Sequence, residues 1–398
     1  MNENEDTRVD KIGDYLDNKR IALCVTGGIA AIETPKIARM LRRYGADVHA
    51  YMSPESQKMI TPVPLEWATG NRVITELTGD SEHIKTYDAV LIAPATLNTI
   101  GQIANGLAEN NLTSLVASAF GRGTPIYVTP TMHESLEKNP MYQNNLEKLC
   151  QYENFHVINP RISEGKAKIE RASTIAARIS HDITDDPIKG KKLLITGGST
   201  PVMIDDVRMI TNKFKGGLSR QIAIEAYLRG ADVTLLLGNS GIIIPSYLHT
   251  IKHRTFDEYR ANVFSELENN YDAGIFAAAV ADYKPVETFE GKIPSGGELK
   301  EIKFTETEKV IKKVREAFPD LYMVTFKYER GKSTKQLLSI AKDRIENKGF
   351  QHVVANRGED MSKTTYLAYI VDKNSTHQVN SKIEASQTLM DILGKKLN

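Results

Sequence analysis

The sequence predicts an α/β protein built from two Rossmann-like, three-layer domains with mainly parallel sheets. The chain has 398 residues, which is too long for one ordinary hydrophobic core. Apolar runs of strand length alternate with stretches of helical periodicity, and this alternation is typical of βαβ units. The pattern also starts twice, at "RIALCVTGGIAAIE" (20–33) and at "KKLLITGGST" (191–200), each time with a strand that runs into a glycine pair.

The element order follows from the apolar runs. In the first half the predicted strands are Ile21–Val25, Asp47–Met52, Ala89–Ala93, Pro125–Val128 and His156–Ile158. Helical spacing of apolar residues follows the first strand, and Gly45 suits the end of that helix. In the second half we predict a helix over Leu218–Leu228 and strands over Leu193–Thr196, Val233–Leu237, Ala273–Ala278, Tyr322–Phe326, Val353–Ala355 and Tyr366–Val371. The polar stretch "HDITDDPIKGKK" (181–192) reads as a linker, which gives domains 1–184 and 185–398.

The bulk composition excludes several classes of protein. The net charge is +1, so we expect no bulk attraction to nucleic acid or to an anionic membrane. No apolar run approaches the roughly 20 residues of a membrane-spanning helix, and the N-terminus is too polar for a signal peptide. The chain has two cysteines, Cys24 and Cys150, which is too few for a disulfide framework. We therefore expect a cytoplasmic protein with small-molecule partners.

Three segments of the first half resemble the flavoprotein decarboxylases that act on 4′-phosphopantothenoylcysteine. They are residues 25–62, 83–114 with "APATLNTIGQIANGLAENNLT", and 127–146. The resemblance implies FMN lying across the carboxyl ends of the strands, at a subunit contact of a trimer. Small and hydroxylated residues at strand ends permit such a close approach. The implied FMN-binding residues are Gly28, Ser53, Pro94, Ala95, Thr96, Asn98 and Thr99.

The same resemblance implies the catalytic residues of this half. His83 matches the family's histidine, whose role is to assist flavin oxidation of the substrate's cysteine side chain to a thioaldehyde, after which carbon dioxide leaves. Met132 and His133 of "PTMH" would bind substrate, although the family usually has Asn where His133 stands. The family's substrate clamp carries a cysteine that returns a proton, whereas the loop "NPRISEGKAKIE" (159–170) has none. Cys150 is another candidate donor, and Cys24 fits core packing.

Four segments of the second half resemble the nucleotide-dependent phosphopantothenate–cysteine ligases: residues 195–219, 275–313, 324–329 and 343–360. The resemblance implies attack of a carboxylate on the α-phosphate of CTP, help from Mg²⁺, displacement of the nucleotide by the cysteine amine, and a dimer. It implies Asn212 and Lys292 as catalytic residues. The implied nucleotide-binding residues are Phe276, Ala277, Ala278, Asp282, Lys292, Glu308, Lys309, Val310, Ile311, Phe326, Arg344 and Lys348.

Two departures from the ligase pattern leave the nucleotide open between CTP and ATP. The family's Ser-Asn-x-Ser-Ser-Gly appears as "TNKFKG" (211–216), where Lys215 could replace hydroxyl donors to phosphate. The family's Asn-Pro-Asp-Ile appears as "TEKV" (307–310). Lys292 lies between Gly291 and "PSGG" (294–297), which predicts a flexible loop closing over the nucleotide.

Several functions fit the sequence. A decarboxylase-like half before a ligase-like half is the order of the bifunctional family of coenzyme A biosynthesis, which would use 4′-phosphopantothenate and cysteine and form a homo-oligomer. An alternative is a ligase fused to an FMN-binding half with weak or no decarboxylase activity. A further alternative is a non-enzymatic flavin-binding regulatory or oligomerisation module in the first half. A nicotinamide dehydrogenase is disfavoured, because neither glycine turn is G-x-G-x-x-G.

Overall fold

The computed structural model describes residues 5–294, 296, 301–362 and 365–398, and it divides the chain into two compact units, Met1–Thr184 and Asp185–Asn398. The first unit contains strands β1 to β7 and helices α1 to α7. In chain order they are β1 Arg20–Val25, α1 Thr34–Arg43, β2 Asp47–Met52, α2 Pro62–Thr69, β3 Ala89–Ala95, α3 Leu97–Ala104, α4 Asn111–Gly121, β4 Ile126–Pro130, α5 Glu134–Glu137, α6 Pro140–Cys150, β5 Phe155–Val157, β6 Arg161–Ser163, β7 Lys166–Lys168 and α7 Ala172–Ile183.

The second unit repeats the alternation of strands and helices. In chain order its elements are β8 Lys192–Gly197, β9 Val202–Met203, β10 Met209–Ile210, α8 Gly217–Leu228, β11 Asp232–Gly238, β12 His249–His253, α9 Phe256–Leu267, β13 Ala273–Phe276, β14 Tyr283–Pro285, β15 Phe304–Glu306, α10 Val310–Ala317, β16 Tyr322–Glu329, α11 Thr334–Lys348, β17 His352–Met361, β18 Tyr366–Val371, β19 Thr376–Val379 and α12 Lys382–Lys396.

Both sheets follow one plan. The first has the order β2-β1-β3-β4-β5, and each neighbouring pair is parallel. The second has the order β12-β11-β8-β13-β16-β17-β18-β19, parallel as far as β17 and antiparallel in the last two pairings. In each unit the next strand of the sheet pairs with one side of the first strand, and a later strand pairs with its other side: β2 and β3 flank β1, and β11 and β13 flank β8. The strand order therefore reverses between β1 and β3, and again between β8 and β13.

Helices cover both faces of the second sheet. Leu193 and Ile195 pack in a core with residues of α8 and α12, whereas Leu194 packs in a core with residues of α9 and α10. In the first unit, Ala22 and Cys24 pack with residues of α3, α4 and α6, and the alternate residues of β1 are fully buried as well. Strands buried on both faces are typical of parallel sheets. The predicted α/β class with mainly parallel sheets is confirmed.

Local sequence explains where key helices begin. Asn110 forms a capping box with Thr113 at the start of α4. Ser333 and Gln336 form another at the start of α11, which ends on Gly349 in the left-handed region (φ +68°). Among the described residues no helix combines the length and apolar character that crossing a bilayer requires.

The structure differs from the predicted elements in several places. Strand β13 ends at Phe276 rather than Ala278, because the chain beyond it follows the glycine turn of β8 through a bridge between Ser199 and Ala279. The predicted linker is partly structured: α7 continues to Ile183, β8 begins at Lys192, and Ile188 is fully buried in a core cluster of the second unit. The polar strands β12 and β19 were not predicted.

Candidate functional site

The first unit has a crevice where its strand order reverses, and this is the position at which open α/β sheets bind ligands. The Thr26 hydroxyl donates to the carbonyl of Pro94 over 2.6 Å, which ties the end of β1 to the end of β3. A Cβ atom on Gly28 would lie 3.3 Å from Pro94 Cγ and 3.6 Å from Thr96 Cγ2. Gly28 therefore keeps the crevice open between the two strand ends. We name Gly28, Ser53 and residues 94–99 the first-unit cradle.

Hydroxyl groups lie along the cradle. Thr96 caps α3, where its Oγ1 accepts from the backbone N–H of Thr99 and lies 3.0 Å from Thr99 Oγ1. Ser53 follows β2, and its N–H donates to the carbonyl of Val25. Its Oγ accepts from the N–H of Ser56, so that hydroxyl also closes a local turn. The structure brings the predicted residues Gly28, Ser53 and 94–99 to one edge of the sheet.

His83 lies on a short 3₁₀ turn, Glu82–Ile84, that is held from both sides. The Glu82 carboxylate accepts from the N–H and hydroxyl of Thr78, and the Glu82 carbonyl accepts from the Tyr51 hydroxyl at 2.9 Å. The His83 Nδ1 atom is buried, and no group among the described residues hydrogen-bonds to it. The His83 imidazole therefore lies on a fixed turn and is not held at Nδ1 by a hydrogen bond within the described residues.

Beyond β4 lies a cavity of about 210 Å³. The β6–β7 hairpin, which turns at Glu164 and Gly165, contributes Ala167 to its wall. Met132 also lines the cavity, as its predicted substrate-binding role requires. His133 is exposed and does not line it: its Nδ1 caps α5 by accepting from the N–H of Ser135. The other lining residues are Pro130, Glu137, Tyr142, Gln143, Leu146, Val157, Asn159 and Pro160.

The second unit has its own crevice, between β8 and β13. Asn212 Nδ2 donates to the carbonyl of Ala279 over 2.9 Å, so Asn212 reaches the segment that follows β13. The N–H groups of Ala277 and Ala278 donate to Thr196 at the end of β8. Phe276 has its side chain in the core, so only its backbone is available to a ligand. The structure thus brings together the glycine turn of β8, Asn212 and the Ala277–Asp282 segment.

Four further predicted residues, Glu308–Ile311, lie beside Asp282. Asp282 forms an ion pair with Lys309 over 2.6 Å, and its carbonyl accepts from the N–H of Thr307. Glu308 pairs instead with Arg260, whose Nε lies 2.5 Å away. Val310 is buried as the first residue of α10. Asp282 and Lys309 are therefore exposed, mutually neutralised charges at the carboxyl edge of the sheet.

Hydrogen bonds hold the backbone on both sides of Lys292, and the closure of this loop over a nucleotide stays a prediction. Gly291 donates its N–H to Asp206 Oδ2 over 2.9 Å, and Ile293 donates to Asp205 Oδ2 over 3.1 Å. Arg208 pairs with Asp205 and donates to the carbonyl of Ile293. The Lys292 side chain remains exposed. Of the predicted "PSGG" segment, residues 295 and 297 lie outside the described residues.

Asp205 is at the centre of these contacts on either side of Lys292, which we name the Lys292 anchor. Burial alone would raise the pKa of its carboxyl, but the N–H groups of Val207, Ile293 and Arg208 and the guanidinium of Arg208 outweigh burial, so the pKa lies below its usual value. The carboxylate therefore stays charged at neutral pH. Sequence reasoning missed Asp205 and Arg208; the signal was the run "DDVR" (205–208) within an otherwise apolar-rich segment.

The structure does not bring Arg344 and Lys348 to this edge. Both lie in the last turns of α11, which leads into the amino end of β17. The Arg344 guanidinium lies 5.6 Å from the ring centroid of Phe350, just before β17 begins. Phe326, the remaining predicted residue, lies on β16 and packs against a core cluster while staying partly exposed. Within one chain, Arg344 and Lys348 therefore lie at the amino edge of the sheet, whereas Asp282 lies at the carboxyl edge.

Another buried group in the second unit was also missed. His253 is fully buried at the end of β12, where its ring lies beside the backbone of Ser199. Burial lowers the pKa of His253 to about 4, so the ring is neutral at physiological pH. In the described ranges, no three His, Cys, Asp or Glu side chains are grouped so that they could hold a metal ion.

Comparisons with known proteins cover both units. The family described as "Flavoprotein" matches residues 12–184, and the "DNA/pantothenate metabolism flavoprotein C-terminal domain" matches residues 188–396. The coenzyme A biosynthesis bifunctional protein CoaBC of Thermococcus kodakarensis is 37% identical over 393 residues, 96% of this chain and 96% of that protein. The protein of the same name from Methanocaldococcus jannaschii is 34% identical and covers 96% of this chain and 94% of its own length.

Among solved structures, the DNA/pantothenate metabolism flavoprotein from Streptococcus pneumoniae is 23% identical, with a TM-score of 0.49 over 52% of this chain and 100% of that chain. The resemblance that the motifs predicted is confirmed by the near-full-length relatives. The chain belongs to the family of the coenzyme A biosynthesis bifunctional proteins.

Proposed function

We propose that the chain carries out two successive steps of coenzyme A biosynthesis. Residues 185–398 join cysteine to 4′-phosphopantothenate at the expense of CTP, and residues 1–184 decarboxylate the product to 4′-phosphopantetheine. The observation that carries this proposal is that each half brings several of its motif residues together at the reversal point of its own sheet. Gly28 meets Pro94 and Thr96 in one unit, and Asn212 meets the Ala277–Asp282 segment in the other.

In the ligase step, the carboxylate of 4′-phosphopantothenate attacks the α-phosphate of the nucleotide, and the cysteine amine then displaces the nucleotide. Lys292 neutralises the negative charge that develops on the phosphates. Asn212 holds the acyl-nucleotide, and Asp282 leaves its ion pair with Lys309 to accept from the amino group of the base. Cytosine and adenine both carry such an amino group, so CTP is proposed over ATP from the family pattern. Mg²⁺ binds chiefly through the nucleotide phosphates.

In the decarboxylase step, the first-unit cradle holds FMN. Gly28 gives room for the ligand, and the Thr96 hydroxyl with the start of α3 offers hydrogen-bond donors to its phosphate. When bound there, FMN would supply two-electron redox chemistry, accepting an electron pair from the substrate's cysteine side chain and giving it back after carbon dioxide has left. His83 exchanges the proton that accompanies this oxidation. Met132 contacts the substrate from the cavity wall. His133 offers the ring nitrogen that does not cap α5 to a polar group of the substrate that extends beyond the cavity.

The cradle borders exposed apolar surface, which supports a homo-oligomer. Ile29 and Ile32 directly follow Gly28, and 73% and 53% of their respective surfaces are exposed. Apolar surface of this kind marks an interaction site when it adjoins a functional crevice. We propose that the first unit forms a trimer that shares its flavin sites between subunits, and that the second unit forms a dimer.

One assay tests the proposal. The purified protein is incubated with 4′-phosphopantothenate, cysteine, Mg²⁺ and either CTP or ATP, and the products are resolved by mass while light scattering gives the oligomeric state. We expect 4′-phosphopantetheine, carbon dioxide and pyrophosphate with CTP. Accumulation of the cysteine adduct alone would favour the alternative of a ligase with a weak decarboxylase half, which the cysteine-free hairpin supports. If neither 4′-phosphopantetheine nor carbon dioxide formed, even when the cysteine adduct is supplied, the flavin half would be a non-enzymatic module.

Gly28→Val tests the cradle. The new side chain would occupy the space beside Pro94 and Thr96, so we expect the FMN content per subunit to fall by about tenfold or more, a loss of at least 1.4 kcal/mol of binding. Flavin absorbance of the purified protein measures the content. Gly79→Val is the matched control, because a Cβ at Gly79 meets nothing within 4 Å. Full flavin occupancy in Gly28→Val would place the flavin elsewhere.

Asp205→Asn tests the anchor of Lys292. The neutral amide loses the ion pair with Arg208 and weakens the hold on Ile293, so Lys292 becomes less well positioned. We expect kcat for ligation to fall about tenfold with little change in KM for cysteine, because misplacement of a catalytic group costs rate rather than binding. Asp232→Asn, at the exposed start of β11, is the control. Unchanged kcat in a folded Asp205→Asn protein would mean that Lys292 is positioned by other contacts.

A further inference from the structure

The first unit lacks the thiol that its relatives' pattern supplies at the β6–β7 hairpin. Residues 161–168 read "RISEGKAK", with a positive-φ turn at Glu164–Gly165 and no cysteine. Loss of carbon dioxide leaves an enethiol. Conversion of the enethiol to the saturated thiol requires two electrons and two protons, and one of those protons must be added to the carbon that carried the carboxylate. Some other group of this chain must be able to donate that proton.

The cavity walled by this hairpin contains two ionisable side chains among its described lining residues, Glu137 and Tyr142. Glu137 is exposed to solvent. Tyr142 is only 3% exposed, and its ring packs in the core beneath the cavity. No hydrogen bond among the described residues engages its hydroxyl, and Tyr142 lines the cavity together with Met132 and Ala167 of the hairpin. Tyr142 therefore places a phenol without a hydrogen-bond partner beside the space between Met132 and the hairpin.

The acidity of Tyr142 suits a donor rather than a base. Burial, with a smaller effect from the charge of Glu137, raises the pKa of Tyr142 to about 12. The phenol consequently keeps its proton throughout the physiological range. Cys150 also lies on α6, but it is the last residue of that helix, two turns beyond Tyr142, and it does not line the cavity. Cys24 is fully buried in the sheet.

We propose that Tyr142 is the acid that replaces the missing thiol, an inference that rests on the decarboxylase function proposed above. The Tyr142 O–H bond breaks, and a C–H bond forms at the carbon from which carbon dioxide departed. The electron pair and the second hydrogen return to the substrate from the reduced flavin, which leaves the saturated thiol and oxidised flavin. The Tyr142 phenolate then recovers a proton from water through the open cavity.

Tyr142→Phe tests this role, because it keeps the ring and removes only the O–H. In a single anaerobic turnover with 4′-phosphopantothenoylcysteine, we expect carbon dioxide release close to that of the wild type. Formation of the saturated product should slow by about 100-fold or more, the contribution of a general acid. A thiol lighter by two hydrogen atoms should accumulate, and the flavin absorbance should stay bleached. Tyr152→Phe, on an exposed tyrosine outside the cavity, should behave as the wild type.

A rescue variant separates chemistry from folding. Ala167→Cys in the Tyr142→Phe background puts a thiol on the hairpin wall of the same cavity, and we expect it to restore the saturated product. Normal product and normal flavin reoxidation in Tyr142→Phe would overturn the inference while leaving the decarboxylase function intact. A wild type that releases no carbon dioxide would overturn the proposed function itself. A Tyr142→Phe protein that retains flavin and melts normally, but stalls before carbon dioxide release, would also contradict the donor role.

Discussion

His83→Ala is expected to abolish carbon dioxide release while ligation continues. The side chain supplies the proton exchange in the proposed oxidation, and loss of a general acid–base group costs about 10²- to 10⁴-fold in rate. The Nδ1 atom has no structural hydrogen bond among the described residues, so its removal leaves no buried partner unsatisfied. The turn should survive, because Glu82 rather than His83 holds it to Thr78 and Tyr51. Carbon dioxide release and pyrophosphate release, measured separately, test the two halves.

The control for this substitution is another histidine of the same unit. His49 lies on β2, where its ring pairs with Asp47 over 2.8 Å and packs against the ring of Tyr87. His49→Ala removes these two contacts, neither of which involves His83, and should leave decarboxylation unchanged. Pyrophosphate release in His83→Ala should stay near the wild-type rate, because the two chemistries belong to separate units and distant sites act independently. If both activities fell together in a well-folded His83→Ala protein, the two steps would share a site.

The sheets were predictable because their central strands are continuous apolar runs. Asp47–Met52 and Tyr366–Val371 have the predicted bounds. Strand β12 reads "HTIKH" and lies at an edge of its sheet, where one neighbour and partial exposure remove the apolar signal. Residues 161–168 were read as a loop, although Gly165 with positive φ at a tight turn is a hairpin signal. The polar edge strand β12 and the β6–β7 hairpin thus escaped prediction because pairing, rather than burial, holds them.

Part of the site followed from topology alone. The strand ends next to a reversal of strand order lie together, so the meeting of Gly28 with Pro94 and Thr96 could be expected. The same rule would have separated Arg344 from Asp282, because a helix that leads into a parallel strand ends at the amino edge of the sheet. The i, i+4 spacing of Arg344 and Lys348 places both side chains on one face of a helix, but it carries no information about which edge of the sheet that face meets.

The contacts that position Lys292 could not be predicted from local patterns. Asp205 accepts from Ile293 across 88 residues of sequence, and Arg208 reaches the carbonyl of the same residue. No periodicity encodes such a pairing between two loops. It follows only once β8 and β13 have formed adjacent strands and their carboxyl-end segments meet.

Lys292→Gln is expected to lower ligase turnover by about 10²- to 10³-fold, the cost of losing one contact that stabilises charge in the transition state. The glutamine keeps most of the side-chain length and removes the charge, and the anchor survives because Asp205 and Asp206 bind the backbone on either side. Lys284→Gln is the matched control, since Lys284 is an exposed lysine on β14. Pyrophosphate release with CTP and cysteine measures turnover, and flavin content reports that the first unit is intact. A Lys292→Gln protein that ligates at the rate of Lys284→Gln would show that the phosphates are neutralised by other cations, with Lys215 or Lys309 as the next to test.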